Sequence, residues 1–92
     1  MSTYLMFGKY SPDSVRAISP ERTQGSIDLI KKNGGELKGG YALLGEIDLV
    51  LIVDLPDTER AMKVSAALGN LLGISFSTAP AVSIQDFDQF MG

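Results

Sequence analysis

Five consecutive aliphatic residues, Leu49-Val50-Leu51-Ile52-Val53, constrain this chain more than any other feature. A membrane span needs about 20 apolar residues, so the run does not cross a bilayer. It is rich in β-branched side chains and reads as a strand. Side chains on a strand alternate between two faces. With Ile47 to Leu55 extended, Ile47, Leu49, Leu51 and Val53 share one face, and Glu46, Asp48, Val50, Ile52 and Asp54 share the other. The second face is polar at both ends but aliphatic at its centre. An antiparallel strand with one solvated face would alternate cleanly. Both faces of this strand therefore need cover.

The flanking sequence supplies the neighbours. Thr3 to Tyr10 is aromatic and β-favouring, with Leu5 and Phe7 on one face and Tyr4, Met6 and Tyr10 on the other. Ser11-Pro12-Asp13 and Ser19-Pro20 are helix starts, each a capping serine followed by proline. The first opens a short turn carrying Val15 and Ile18. The second opens a helix running to Asn33, with Ile27 and Ile30 on one side and Asn33-Gly34-Gly35 as its stop. Glu36 to Leu44 is a second strand, interrupted by Gly39-Gly40, which suggests a bulge. A tight turn at Gly45-Glu46 would join it to the aliphatic strand as a hairpin. Asp57 caps a second helix whose stripe is Ala61, Val64, Leu68, Leu71 and Leu72, ended by Gly73. Ile74 to Val82 is the last strand, and Pro80 confines it to a sheet edge or end. Ser83 then caps a short helix that gathers Ile84, Phe87, Phe90 and Met91 on one side. The order βαββαβ plus a helical tail is the α+β, ferredoxin-like pattern: an antiparallel sheet with two helices on one face.

Ninety-two residues make a single domain, 1–92, with a thin core of its own. A 45% hydrophobic content with 21% charged residues excludes intrinsic disorder. A net charge of −3 speaks against a nucleic-acid partner, which usually requires a basic face. With no cysteine and no histidine, disulfides, thiolate catalysis and Ser-His or Cys-His nucleophilic sets are excluded. Asp86 is better explained by helix capping than as a cation ligand, and neither metal nor cofactor is expected. Met1-Ser2-Thr3-Tyr4 lacks the basic region of a secretory signal, so a cytoplasmic location with no membrane partner is expected.

The two-sided aliphatic strand has a consequence for assembly. Burying an exposed aliphatic side chain contributes roughly 1.5–3 kcal/mol, and several per chain would offset the cost of association. A homodimer with facing sheets is expected, with larger assemblies left open. The competing arrangement is a monomer whose terminal helix folds back over the sheet.

Pro20-x-Arg22, Gly34-Gly35, Tyr41, Gly45-Glu46-Ile47-Asp48-x-Val50 and Pro56-Asp57, in that order and spacing, resemble the GYD domain family. The resemblance takes in nearly the whole chain. It implies two ferredoxin-like protomers packed sheet to sheet as a dimeric α/β barrel. The chain departs from the family at Ile47, where a tyrosine is usual, and at Thr78-Ala79-Pro80, where a Thr-Leu-Arg-like segment is usual. These departures imply the loss of a polar or cationic pocket wall. The wider barrel superfamily includes cofactor-independent oxygenases, isomerases and ligand-sensing domains, an analogy of fold alone.

Four residues are candidates for a site. Asp48 is a carboxylate flanked by aliphatic neighbours, a setting suited to proton transfer or to anchoring a polar group. Its structural alternative is a bond to a backbone amide, an arginine or water near the strand end. Tyr41 and Tyr10 offer apolar walls with hydroxyl tips, or simple packing. Arg22, near a helix start, suits the mouth of an anion-accepting cleft, or a structural ion pair. The leading expectation is a dimeric domain that binds a small apolar or aromatic metabolite. The alternatives are a cofactor-independent isomerase, lyase or monooxygenase-like enzyme, and a non-catalytic structural or regulatory interaction module.

Overall fold

The aliphatic run forms β3 (Leu49–Leu55), which lies between β2 (Glu36–Ala42) and β1 (Ser2–Tyr10) in a computed structural model describing all residues 1–92. The last strand, β4 (Ile74–Ala81), pairs with the other edge of β1, giving a four-stranded sheet in the order β2-β3-β1-β4. Every pairing is antiparallel. Helices α2 (Pro20–Lys32) and α3 (Thr58–Leu72) accompany the sheet, with α1 (Pro12–Arg16) and α4 (Ile84–Met91) as short additions. The βαββαβ order read from the sequence is the observed one.

Local chemistry sets the helix ends. Ser11, Ser19, Asp57 and Ser83 each accept a hydrogen bond from a backbone N–H three residues on, satisfying donors that a helix start leaves orphaned. Gly73 ends α3 at φ 65°, a left-handed conformation that costs a glycine little.

Register assigns the faces. Tyr4, Met6, Leu51, Val53 and Leu55 are buried beneath the helices, where they meet Ile30 of α2 and Ala61, Val64, Leu68 and Leu72 of α3. Leu71, expected in the α3 stripe, is half exposed, because the stripe drifts away from the sheet at that turn. Val15 and Ile18 are exposed too; α1 is only one turn long and reaches little of the core. On the opposite face Leu5 lies across from Ile52 and Phe7 across from Val50. These four side chains make an apolar centre, and no helix of this chain covers it. Only 14 of the 92 residues are buried, so much of the apolar content lies on the surface. No helix is long and apolar enough to cross a membrane.

One expectation needs correction, and the competing monomeric arrangement is not what is observed. The hairpin turn is wider than Gly45-Glu46: β2 stops at Ala42 and β3 begins at Leu49, because Asp48 is tied elsewhere. Its backbone N–H donates to the Gly8 carbonyl of β1, and its carbonyl accepts from Leu43 N–H. The terminal helix, in turn, does not fold back over the sheet. None of α4 is buried.

Gly35, in the link between α2 and β2, lies tight against the end of β3. A Cβ there would sit 2.5 Å from the Asp54 carbonyl oxygen and 2.5 Å from Leu55 Cδ2, and backbone cannot yield as a side-chain tip can. Gly35→Ala is expected to lower stability by about 1–3 kcal/mol, read as a reduced midpoint in urea unfolding with an unchanged slope.

Candidate functional site

A cleft of about 310 Å³ opens between the start of α2, the end of β1 and the edge strand β2. Its origin lies in the β2 sequence. Gly40 pairs with Leu51 on the helix-side face but has no side chain, so the space between edge strand and helix stays unfilled. Leu37, Leu49, Leu72 and Ile74 give apolar walls, and Ile18 lies at the rim.

Three of the four residues expected from the sequence border this cleft: Tyr10, Arg22 and Tyr41. Arg22 is held chiefly by α1 and more distantly by the end of α3. Its Nη1 donates to the Ser14 carbonyl at 2.9 Å and, at a longer 3.5 Å, to the Leu72 carbonyl. The buried Ser14 hydroxyl donates to the same Leu72 oxygen at 2.7 Å. The last carbonyls of a helix lack intrahelical partners and carry partial negative charge, so both a hydroxyl and a cation are favoured there. A guanidinium has five N–H donors, so Arg22 has donors beyond those two bonds. Ser26, buried one turn further along α2, donates to the Arg22 carbonyl at 3.1 Å. The sequence reading overlooked Ser26, which looks like an ordinary mid-helix serine.

Tyr41 reaches the cleft in an unexpected way. The pairing slips between Leu37, opposite Val53, and Gly39, opposite Ile52, leaving Lys38 as the extra residue of a bulge. Without that slip Tyr41 would share the helix-side face with Leu37. With it, Tyr41 lies opposite Val50 and is 63% exposed on the helix-free face, bounding the cleft along the edge strand.

Asp48 does not line the cleft. Its Oδ2 accepts from the Tyr10 backbone N–H at 3.0 Å. With its two backbone bonds, this makes Asp48 a clamp between the β2–β3 turn and the end of β1. It acts on the cleft through the placement of Tyr10, and no tyrosine hydroxyl is its hydrogen-bond partner.

A second, open groove of about 400 Å³ runs between α3 and β4, where Tyr4, Thr78 and Pro80 meet Thr58, Ala61 and Ser65. Its lining carries hydroxyls and no charged side chain. Tyr4 Oη lies 3.4 Å from Thr58 Oγ1, and Ser65 Oγ lies 2.7 Å from Thr78 Oγ1. Ser65 also lies 2.7 Å from the Ala61 carbonyl, which can only accept, so the Thr78 hydroxyl donates to Ser65.

The sheet order and the two helices on one face place the chain in the ferredoxin-like α+β class. Within it, the chain belongs to the GYD domain family, whose pattern it matches over residues 4–91. No curated protein sequence matches it significantly. Among solved structures it is similar to the leucine response regulatory protein LrpA of Mycobacterium tuberculosis, with a TM-score of 0.64 and 10% identity over 89% of this chain and 51% of that one. It is also similar to an AsnC family transcriptional regulator from Agrobacterium tumefaciens, with a TM-score of 0.57 and 18% identity over 88% and 50% of the two chains. The chain spans about half the length of these regulators, and the likeness is one of fold.

Removing the Asp48 clamp is expected to be costly. Asp48→Ala should destabilise by about 1.5–3 kcal/mol, while Asp48→Asn, which keeps an acceptor oxygen, should cost less. Thermal unfolding and the exchange rate of the Tyr10 amide check this ordering.

Proposed function

We propose that this chain is a homodimeric domain that binds a small apolar or aromatic molecule in the cleft beside α2. The observation carrying this reading is the meeting of Tyr10 and Arg22 at one mostly apolar space of about 310 Å³, within the usual size of small-ligand sites, with Tyr41 bounding it only along the edge strand. The apolar walls take the body of the ligand. The donors of Arg22 beyond its bonds to the protein favour a carbonyl or carboxylate at the mouth. Asp48 serves binding indirectly, by holding the end of β1. The fold neighbours are named as regulators, one of them for its response to leucine, which favours a sensing role over a catalytic one.

Pairing through the helix-free face accounts for Leu5, Phe7, Val50 and Ile52. Around that apolar centre lie polar groups, among them Thr3, whose hydroxyl donates to Asp54 at 2.8 Å. An apolar centre with a polar rim is the usual anatomy of an interface.

Two measurements test these claims. In ligand-induced thermal shifts against a panel of aromatic and branched-chain carboxylates, Gly40→Val should fill the cleft, and Arg22→Gln should remove the charged donor. Each should weaken binding about tenfold or more, a loss of at least ~1.4 kcal/mol. Asp48→Asn should leave it nearly unchanged. Wild-type affinity in Gly40→Val would refute the cleft as the binding site. Sedimentation at micromolar concentration should find self-association, and Phe7→Glu should remove the part of it that runs through the helix-free face. A wild-type protein sedimenting only at 9.8 kDa would end the pairing claim.

A further inference from the structure

Two features remain without a role: the bare apolar side of α4 and the uncharged groove between α3 and β4. On α4, Ile84, Phe87, Phe90 and Met91 are all between 49% and 75% exposed. The two phenylalanines already contact each other edge to face, with centroids 5.5 Å apart. An eight-residue helix with so much apolar surface is not expected to stay in water.

We propose that α4 is an exchange arm: it docks into the α3–β4 groove of a second copy of this chain, which returns its own arm in the same way. Length is the first support. The nine-residue α3 stretch lining the groove, Thr58 to Ala66, is about 13.5 Å long, enough for the eight-residue α4 of about 12 Å at 1.5 Å per residue. Shape is the second. Small residues Ala61, Ser65 and Ala66 form one wall, and Met62, Phe76 and Pro80 are the larger side chains around it, so phenylalanine rings have room to enter.

Charge also agrees. The groove lining holds no ionic side chain, matching the uncharged side of the arm. The area suffices as well. Four half-exposed apolar side chains offer roughly 400 Å² per arm. Two arms with the smaller lining of two grooves bring this to about 1,000 Å², the lower bound of a specific interface. Reciprocal exchange has two-fold symmetry, so within this pairing both arms and both grooves are filled.

This pairing is independent of the one through the helix-free face, and the two can fail separately. The chain has no cysteine, so introduced thiols have no native competitor. Phe87→Cys and Ala66→Cys proteins, prepared separately, are mixed and mildly oxidised. The expected result is a covalent species of about twice the 9.8 kDa chain mass in the mixture, and far less of it from either protein alone. A chain carrying both cysteines should likewise cross-link between chains. A bridge formed only within one chain would mean that the arm folds onto its own groove, and no bridge at all would mean that the groove does not receive it; either overturns the proposal. Because α4 buries nothing in its own chain, Phe87→Asp/Phe90→Asp should keep the thermal midpoint of the dissociated protomer while weakening self-association at least tenfold. Unchanged association in that variant also overturns it. Adding Phe7→Glu, which tests the sheet pairing, to both the Ala66→Cys and the Phe87→Cys proteins should leave the mixed bridge still forming.

Discussion

The two-sided apolar character of β3 is the constraint on which the rest of the structure depends. Leu51, Val53 and Leu55 must lie under helices, and that requirement brings α2 and α3 to the same side of the sheet. Val50 and Ile52 then face away, where the chain has only Leu5, Phe7 and small β4 side chains to set beside them. A short chain cannot cover both sides of a four-stranded sheet with two helices. Its core is complete on one side and unfinished on the other. The second side presents a half-buried apolar centre, and burial of that centre is the driving force for any pairing there.

The cleft has a different origin. It exists because an edge strand carrying glycine meets a helix whose start is held by two other helices. The Leu72 carbonyl gathers the Ser14 hydroxyl and, more distantly, the Arg22 guanidinium, so α1, α2 and α3 meet at one oxygen. That junction holds Arg22 beside an apolar space instead of leaving it free in solvent. Structure and site share this residue, and for that reason a change in stability at Arg22 must be measured alongside any change in binding.

Much of this was legible beforehand, and particular residues explain why. The caps at Ser11, Ser19, Asp57 and Ser83, the stop at Gly73 and the split between Val50 and Leu51 follow from side-chain chemistry and alternation within a few residues. Tyr10, Arg22 and Tyr41 were suspected on residue type and position, and they do border one cleft. Asp48 drew attention as a carboxylate among aliphatics, and its bond to the Tyr10 amide matches the structural alternative weighed for it. The α3–β4 groove was legible only in the departure at Thr78-Ala79-Pro80, since Tyr4, Thr58, Ser65 and Thr78 meet only when a helix and two strands are assembled.

By itself, then, the sequence determined the order of elements, their ends and the presence of a strand needing cover on both sides. Each depends on neighbours close along the chain. Tertiary structure alone decided that a bulge at Lys38 would carry Tyr41 to the helix-free face, that Asp48 would clamp β1 and that α4 would stand clear of its own sheet. These outcomes turn on register and contact between segments tens of residues apart. A one-residue slip in pairing reverses which face a side chain occupies, and no local pattern records it.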